Sequence, residues 1–176
     1  MDFDGLISNA NAGDGVSMYC NRGGEMRLKD VGTAFNYGSG ISLTAGVFAS
    51  EMSLEGAVTS RFNGGKGLSM TKAGDPDGFT PSLTFRLDVK GDVNLDSNGD
   101  LDAPNSAGFF VRDAFASLEV VVEEGGSIQS CDNKNYDVAI DVGKGFTLVG
   151  DMTCNPDKSL VNSQVPNCVP CPPGSP

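Results

Sequence analysis

Oxygen-bearing side chains alternate along one short segment, and this is the strongest chemical pattern in the sequence. They occupy every second position, at Asn94, Asp96, Asn98, Asp100 and Asp102. Calcium takes about six to eight oxygen ligands, and a tightly curled loop brings such side chains to one point. Gly99 permits the sharp turn that this needs. The pattern predicts calcium as a cofactor; an acidic, solvated turn is the alternative, because Asp, Asn and Gly favour turns by themselves.

This segment resembles the D-x-D-x-D-G calcium loops of EF-hands, dockerins and type-3 thrombospondin repeats over residues 92–102. An EF-hand carries a bidentate Glu at its twelfth position, which, counted from Asn94, is Asn105 here. A strand pattern also lies directly upstream, where an EF-hand has a helix. The resemblance therefore implies a simple calcium-stabilised loop instead of an EF-hand.

The sequence has five cysteines and no histidine. A mixed Cys/His zinc site is therefore impossible, and an all-Cys site would need a second pair at the spacing of Cys168 and Cys171. Disulfides are the remaining use, which predicts an oxidising, extracellular compartment. We assign them to Cys131, Cys154, Cys168 and Cys171, with Cys131–Cys154 as the preferred pairing among several. The odd cysteine is free, or pairs with another chain or with a segment outside this sequence.

The C-terminal segment Cys168-Val169-Pro170-Cys171-Pro172-Pro173-Gly174-Ser175 contains a second recognisable pattern. It resembles the opening of the C-x-x-C-P-x-G-[ST] repeats of ephrin-receptor-like extracellular cysteine-rich modules. The resemblance implies an extracellular or cell-surface protein, with the unpaired cysteine finding its partner beyond Pro176. A proline-rich end with an incidental Cys-x-x-Cys is the alternative.

Other chemistries lack the residues that they require. Without histidine there is no Ser-His-Asp or Cys-His system, and the carboxylates Glu119, Glu123 and Glu124 fit a solvated strand face and turn better than a catalytic pair. The net charge of −11 and the scattered Lys and Arg residues disfavour nucleic acid. No apolar run approaches the ~18 residues that insertion into a membrane needs. We therefore predict a protein that is not an enzyme, does not bind nucleic acid and does not insert into a membrane.

The elements that would position these residues are strands. Apolar residues alternate with polar ones from Ser82 to Lys90, and the alternation recurs from Tyr136 to Val142. A second run at Phe146–Val149 follows Gly143-Lys144-Gly145, which predicts a β-hairpin. Further strands are predicted at residues 25–28, 41–48, 52–60, 67–72 and 118–123. Dispersed glycines and no repeat of fixed period favour an all-β, antiparallel β-sandwich or jelly roll over a solenoid.

The chain divides into an N-terminal arm (1–24), a β-sandwich domain (25–154) and a Cys/Pro-rich tail or the start of a further module (155–176). Phe3, Leu6 and Ile7 of the arm are candidates for assembly, because they could pair with the sheet edge of a neighbouring copy. Packing of the arm on its own domain is the alternative. The leading hypothesis is a secreted structural protein that self-assembles into a fibre or layer. The second is a calcium-stabilised module that binds carbohydrate or another ligand.

Overall fold

The computed structural model describes residues 1–20, 24–45, 50–72, 83–99, 106–113, 116–143, 145–161 and 168–173. Most of these residues are in strands. In chain order the strands are β1 (Asp2–Asp4), β2 (Ile7–Asn9), β3 (Val16–Cys20), β4 (Gly24–Lys29), β5 (Gly32–Ala34), β6 (Ile41–Ala45), β7 (Ser50–Arg61), β8 (Leu68–Lys72), β9 (Leu83–Asn94), β10 (Ala107–Asp113), β11 (Ala116–Val122), β12 (Ser127–Ser130), β13 (Tyr136–Val142), β14 (Phe146–Val149), β15 (Met152–Cys154), β16 (Ser159–Val161) and β17 (Cys168–Val169). A 3-10 turn at Pro156–Lys158 precedes β16. No helix among the described residues has the length and hydrophobicity to cross a membrane.

The chain winds into stacked coils, and each coil contributes strand segments to three sides. Side A stacks β1, β4, the first half of β7, the first half of β9, β11 and β14. Side B stacks β2, β5, the end of β7, the end of β9, β12, β15 and β17. Side C stacks β3, β6, β8, β10, β13 and β16. The described residues form six such coils, and β17 begins a seventh.

All the strand pairs of the described residues are parallel, so the architecture is a parallel β-helix. The prediction of an antiparallel sandwich or jelly roll is wrong. Alternation of apolar and polar residues shows only that a strand has one buried face, and both architectures meet that condition. The predicted strands at residues 25–28, 52–60 and 118–123 overlap β4, β7 and β11, so their presence is confirmed.

The predicted hairpin after Tyr136 is also wrong. β13 pairs with β10 and β16 on side C, whereas β14 pairs with β11 on side A. β14 therefore belongs to the next coil, and the two strands do not form a hairpin. A turn containing glycine is compatible with either course, which is why local sequence could not separate them.

The interior consists of rows of apolar side chains that stack from coil to coil. One row on side C is formed by Met18, Leu43, Met70, Val111 and Ile140, and all of them are buried. Fully burying a side chain of this size contributes about 1.5–3 kcal/mol. Because parallel neighbours lie about 4.8 Å apart, each residue of a row touches its equivalents directly.

A row of asparagines replaces the apolar contacts at the corner between sides B and C. It consists of Asn11, Asn36, Asn63, Asn98 and Asn133, and we call it the asparagine ladder. The backbone N–H of each asparagine donates to Oδ1 of the next, at distances of 2.8–3.1 Å. The side-chain amides of the first three donate to the same oxygens. The ladder thereby satisfies buried polar groups that the tight corner would otherwise leave without partners.

Asp137 ends this ladder. Its Oδ1 accepts hydrogen bonds from both the backbone N–H and Nδ2 of Asn133, and its Oδ2 accepts one from the N–H of Asn155. In earlier coils the equivalent position is glycine; at Gly40, for example, a Cβ would lie 1.9 Å from Oγ of Ser60. The carboxylate takes the place of a further ladder asparagine. Burial raises the pKa of Asp137, although the hydrogen bonds from Asn133 and Asn155 oppose this effect.

Candidate functional site

A groove of about 320 Å³ lies on the outer surface of side B, across the first three coils. Its floor is formed in the second coil, where the outward-facing residues of β5 are the small Gly32 and Ala34. In register with Gly32 stand Ile7 in the first coil and Thr59 in the third. Parallel strands place such equivalents about 4.8 Å apart. The depression therefore arises because small residues in one coil lie between larger ones above and below.

The second row of the groove places Asn9, Ala34 and Arg61 in register. Asn9 is exposed and Arg61 half-buried. Together with Thr59 they supply amide, hydroxyl and guanidinium groups beside the apolar floor. A small number of polar groups around an apolar depression is the usual composition of a ligand site.

Two phenylalanines border the groove at the corner of side B. The rings of Phe35 and Phe62 stack with centroids 5.4 Å apart and planes 10° apart, while the two residues remain 66% and 46% exposed. Both have φ of 57°, in the left-handed region. That conformation costs a non-glycine residue roughly 1–2 kcal/mol, and it is an outlier for a bulky one.

The tight corner accounts for the left-handed backbone of Phe35 and Phe62, but it does not require aromatic side chains at these positions. Each residue that precedes a ladder asparagine has a φ between 56° and 58°, and the other three are Ala10, Ser97 and Asp132. Small or polar residues therefore satisfy the same turn. Two large rings at strained, exposed positions are expensive for folding, and such outliers suggest a role on the surface.

Arg61 lines the groove beside the aromatic pair, with its guanidinium carbon 5.2 Å from the centroid of Phe62. Its Nε is buried and has no hydrogen-bond partner among the described residues. Among the arginines of the described residues, Arg27, Arg86 and Arg112 each form an ion pair with a carboxylate, and Arg61 does not. The described residues that line the groove include no Asp or Glu.

Side A has a different outer surface, in which charges of opposite sign stack between coils. The row of Asp4, Lys29, Glu55, Lys90 and Glu123 alternates in sign through five coils. Lys29 lies 3.2 Å from Asp4, and Lys90 lies 3.8 Å from Glu123.

Glu55 of this row also binds Arg27 from the neighbouring row. The hydrogen bond from Arg27 lowers the pKa of Glu55, and the bond to Glu55 raises the pKa of Arg27. Arg86 likewise contacts both Asp88 and Glu119 at 3.0 Å. The charges of side A are therefore largely matched within the protein.

The predicted calcium ligands have structural partners where the structure describes them. Asn94 Oδ1 accepts from the N–H of Asp96, and Asp96 in turn accepts from the N–H of Cys131 at 2.7 Å and from Gln129. Asn98 belongs to the asparagine ladder. Within the described ranges no three acidic or cysteine side chains are grouped to hold a metal. Asp100 and Asp102 lie outside these ranges, so calcium binding stays a prediction.

The four cysteines assigned to disulfides form the bridges Cys131–Cys171 and Cys154–Cys168, and Cys20 is free. The preferred pairing of Cys131 with Cys154 is wrong. In the parallel register, Cys154 pairs with Ser130 and not with Cys131. The two bridges hold the C-terminal segment against the last coils. They are consistent with an oxidising, extracellular environment.

The residues predicted for assembly belong to the first coil. Phe3 and Leu6 pack partly against the core, whereas Ile7 is 75% exposed and lines the groove. The arm is thus part of the β-helix, which corresponds to the alternative of packing on its own domain. Glu119 and Glu123 participate in the ion pairs of side A.

The ladder and its corner were missed from sequence, although a signal for them exists. Three segments share the pattern N-x-G-x-G-apolar-S and begin at Asn11, Asn36 and Asn63. The ladder spacings are 25 and 27 residues at first and then 35 twice, so no single period appears. Comparison with protein-family models, curated proteins and solved structures gave no match.

Proposed function

We propose that this chain is an extracellular parallel β-helix that binds a glycan in the groove on side B. The observation that carries the proposal is the stacked, exposed pair of Phe35 and Phe62 beside that groove. An exposed ring costs solubility, and its left-handed backbone costs stability, so a use in binding accounts for both. The proposal favours the second of the two functional hypotheses drawn from the sequence.

The composition of the groove suits a sugar. The C–H face of a pyranose ring packs on aromatic rings, while its hydroxyl groups need donors and acceptors at the edge. Asn9, Thr59 and Arg61 provide these groups next to the aromatic pair. The volume of about 320 Å³ is at the low end of the ~300–1,000 Å³ typical of small-molecule sites. The groove therefore fits a short stretch of a longer, surface-exposed chain.

The test is a glycan array, followed by titration calorimetry of the glycans that bind. We expect the double variant Phe35→Ala, Phe62→Ala to bind about 10- to 100-fold more weakly, because each ring contributes roughly 0.5–1.5 kcal/mol of stacking. Tyr19→Ala is the matched control, since Tyr19 is an exposed aromatic residue on side C. Equal binding by the double variant and the wild type, or no bound glycan at all, would contradict the proposal.

End-to-end self-assembly is a second candidate, and one observation favours it. Among the described strands, β1, β2 and β3 pair on one side only, with β4, β5 and β6. Their other edge presents backbone N–H and C=O groups, which is a template for a strand of another copy. Electron microscopy of the non-reduced protein tests whether fibres form.

A proline variant can separate edge pairing from folding. The N–H of Val16 donates to the second coil, so by the alternation of strand hydrogen bonds the N–H of Ser17 faces the open edge. Ser17→Pro removes that donor without removing a bond to the second coil. If the wild type forms fibres and Ser17→Pro forms them equally well, the copies do not stack through the first coil.

A further inference from the structure

We infer that the glycan bound on side B is acidic, and that Arg61 determines this specificity by pairing with a carboxylate or sulfate on the sugar. The inference rests on the proposed function and adds the chemical class of its ligand. Its basis is the difference between Arg61 and the other arginines of the described coils.

Arg61 has donor capacity that the protein leaves unused. A guanidinium group has five N–H donors in a planar fork that matches an oxyanion with two parallel hydrogen bonds. Among the residues that the structure describes, the Nε of Arg61 is buried without an acceptor, and no carboxylate forms an ion pair with this side chain. The Nε of Arg27 is similarly buried, but the terminal nitrogen of Arg27 binds Glu55. An unmatched, partly desolvated cation favours an anion supplied from outside.

The local charge supports the same conclusion. The protein carries a net charge of −11, and its surface as a whole repels anions. The lining of the groove is an exception, because Arg61 is its charged residue and no carboxylate of the described part of the chain lies beside it. On side A, by contrast, Arg27 and Arg86 already form ion pairs with carboxylates of the protein.

The position of Arg61 links charge recognition to stacking. Its guanidinium lies over the ring of Phe62, which keeps it next to the surface on which the sugar would pack. This contact also orients the fork and reduces the side-chain freedom lost on binding. A sugar ring on the phenylalanine pair can thus present an anionic substituent to Arg61 in the same encounter.

The experiment compares matched ligands by titration calorimetry. The probes are uronate oligosaccharides with their carboxyl-reduced counterparts, and sulfated oligosaccharides with their desulfated counterparts. We expect wild-type protein to bind one acidic series at least about tenfold more tightly than its neutral counterpart. Arg61→Gln should remove this preference, and Arg61→Lys should retain part of it. The series that is preferred identifies the anion as a carboxylate or a sulfate.

Arg112→Gln is the matched control, because Arg112 is an exposed arginine on side C that pairs with Asp141. It should leave the preference unchanged. Equal binding of acidic and neutral probes by the wild type would overturn the inference and leave glycan binding intact. If the wild-type protein binds none of the glycans, neutral ones included, the proposed function is overturned as well. The comparison of ligands on the wild type remains decisive even if Arg61→Gln fails to fold.

Discussion

Sides A and B have the same parallel backbone but opposite outer surfaces. On side A, stacked residues such as Lys29 and Glu55 alternate in sign, so a charge in one coil meets its partner in the next. On side B, the stacked residues Ile7, Gly32 and Thr59 differ in size, and within the described coils no carboxylate lines the groove beside Arg61. The comparison shows that a stack of coils leaves a groove where the sizes and charges of residues in neighbouring coils do not match.

The largest expected effect comes from breaking the corner that supports the groove. Asn63→Ala removes an acceptor used by the N–H and Nδ2 of Asn36 and a donor to Asn98. Buried polar groups would lose their partners, so we expect the free energy of unfolding to fall by about 2–4 kcal/mol. Chemical denaturation measures this. Glu51→Ala, an exposed change on side A, should stay within about 0.5 kcal/mol; equal losses in both variants would refute a special role for the ladder.

Filling the groove should separate binding from stability. In Gly32→Val, the new Cβ would lie 3.4 Å from Oγ1 of Thr59, which the strand can accommodate. Stability should be unchanged or higher by up to about 1 kcal/mol, because glycine is unfavourable within a strand. Glycan affinity should fall at least about tenfold as the depression closes. The control is Thr84→Val on side A; retained affinity in Gly32→Val would place the ligand elsewhere.

A smaller effect on stability and binding is expected when Phe62 is replaced by a residue that adopts the left-handed backbone conformation more readily. Phe62→Asn relieves the cost of φ at 57° but loses the stacking on Phe35. These terms oppose each other, so the melting temperature should change little while glycan affinity falls about tenfold. Thermal melts and calorimetry on the same preparation check both. A large fall in stability would mean that the ring pair serves folding instead of binding.

The smallest effect should come from side A, and it depends on pH. Arg27 lowers the native pKa of Glu55, so the stabilisation is present above the unfolded pKa near 4.5 and is lost as pH falls through the native value. Glu55→Gln should therefore be slightly less stable than the wild type at pH 7, with the difference vanishing in acid. Denaturation at several pH values tests this. A difference independent of pH would show that the ion pair is not its source.

Sequence patterns predicted the strands better than their arrangement. The alternation of Leu83, Phe85, Leu87 and Val89 locates β9 because burial of one face is a local requirement. The neighbours of β9 are β7 on one side and β11 and β12 on the other, all more than 20 residues away, and no local pattern specifies such partners. The coils differ in length, so their repeat has no fixed period in the sequence.

The groove was harder still to predict, since no residue in it is unusual alone. Ile7, Gly32 and Thr59 become a site only when the coil register brings them side by side. The disulfide set could be assigned from cysteine chemistry. Its pairing could not, because whether Cys131 or Ser130 faces the same way as Cys154 is decided by register.

The asparagine ladder also gives the molecule a row of aligned side-chain dipoles along its axis. From Asn36 to Asn133 each side-chain carbonyl accepts from the preceding coil, and the amides of Asn11, Asn36 and Asn63 donate onward. Their dipoles add in the manner of a helix, with the positive end toward the later coils, and the carboxylate of Asp137 lies beyond that end. The stack is therefore polar along its axis, so a further coil could extend the row of dipoles only by joining in the same orientation.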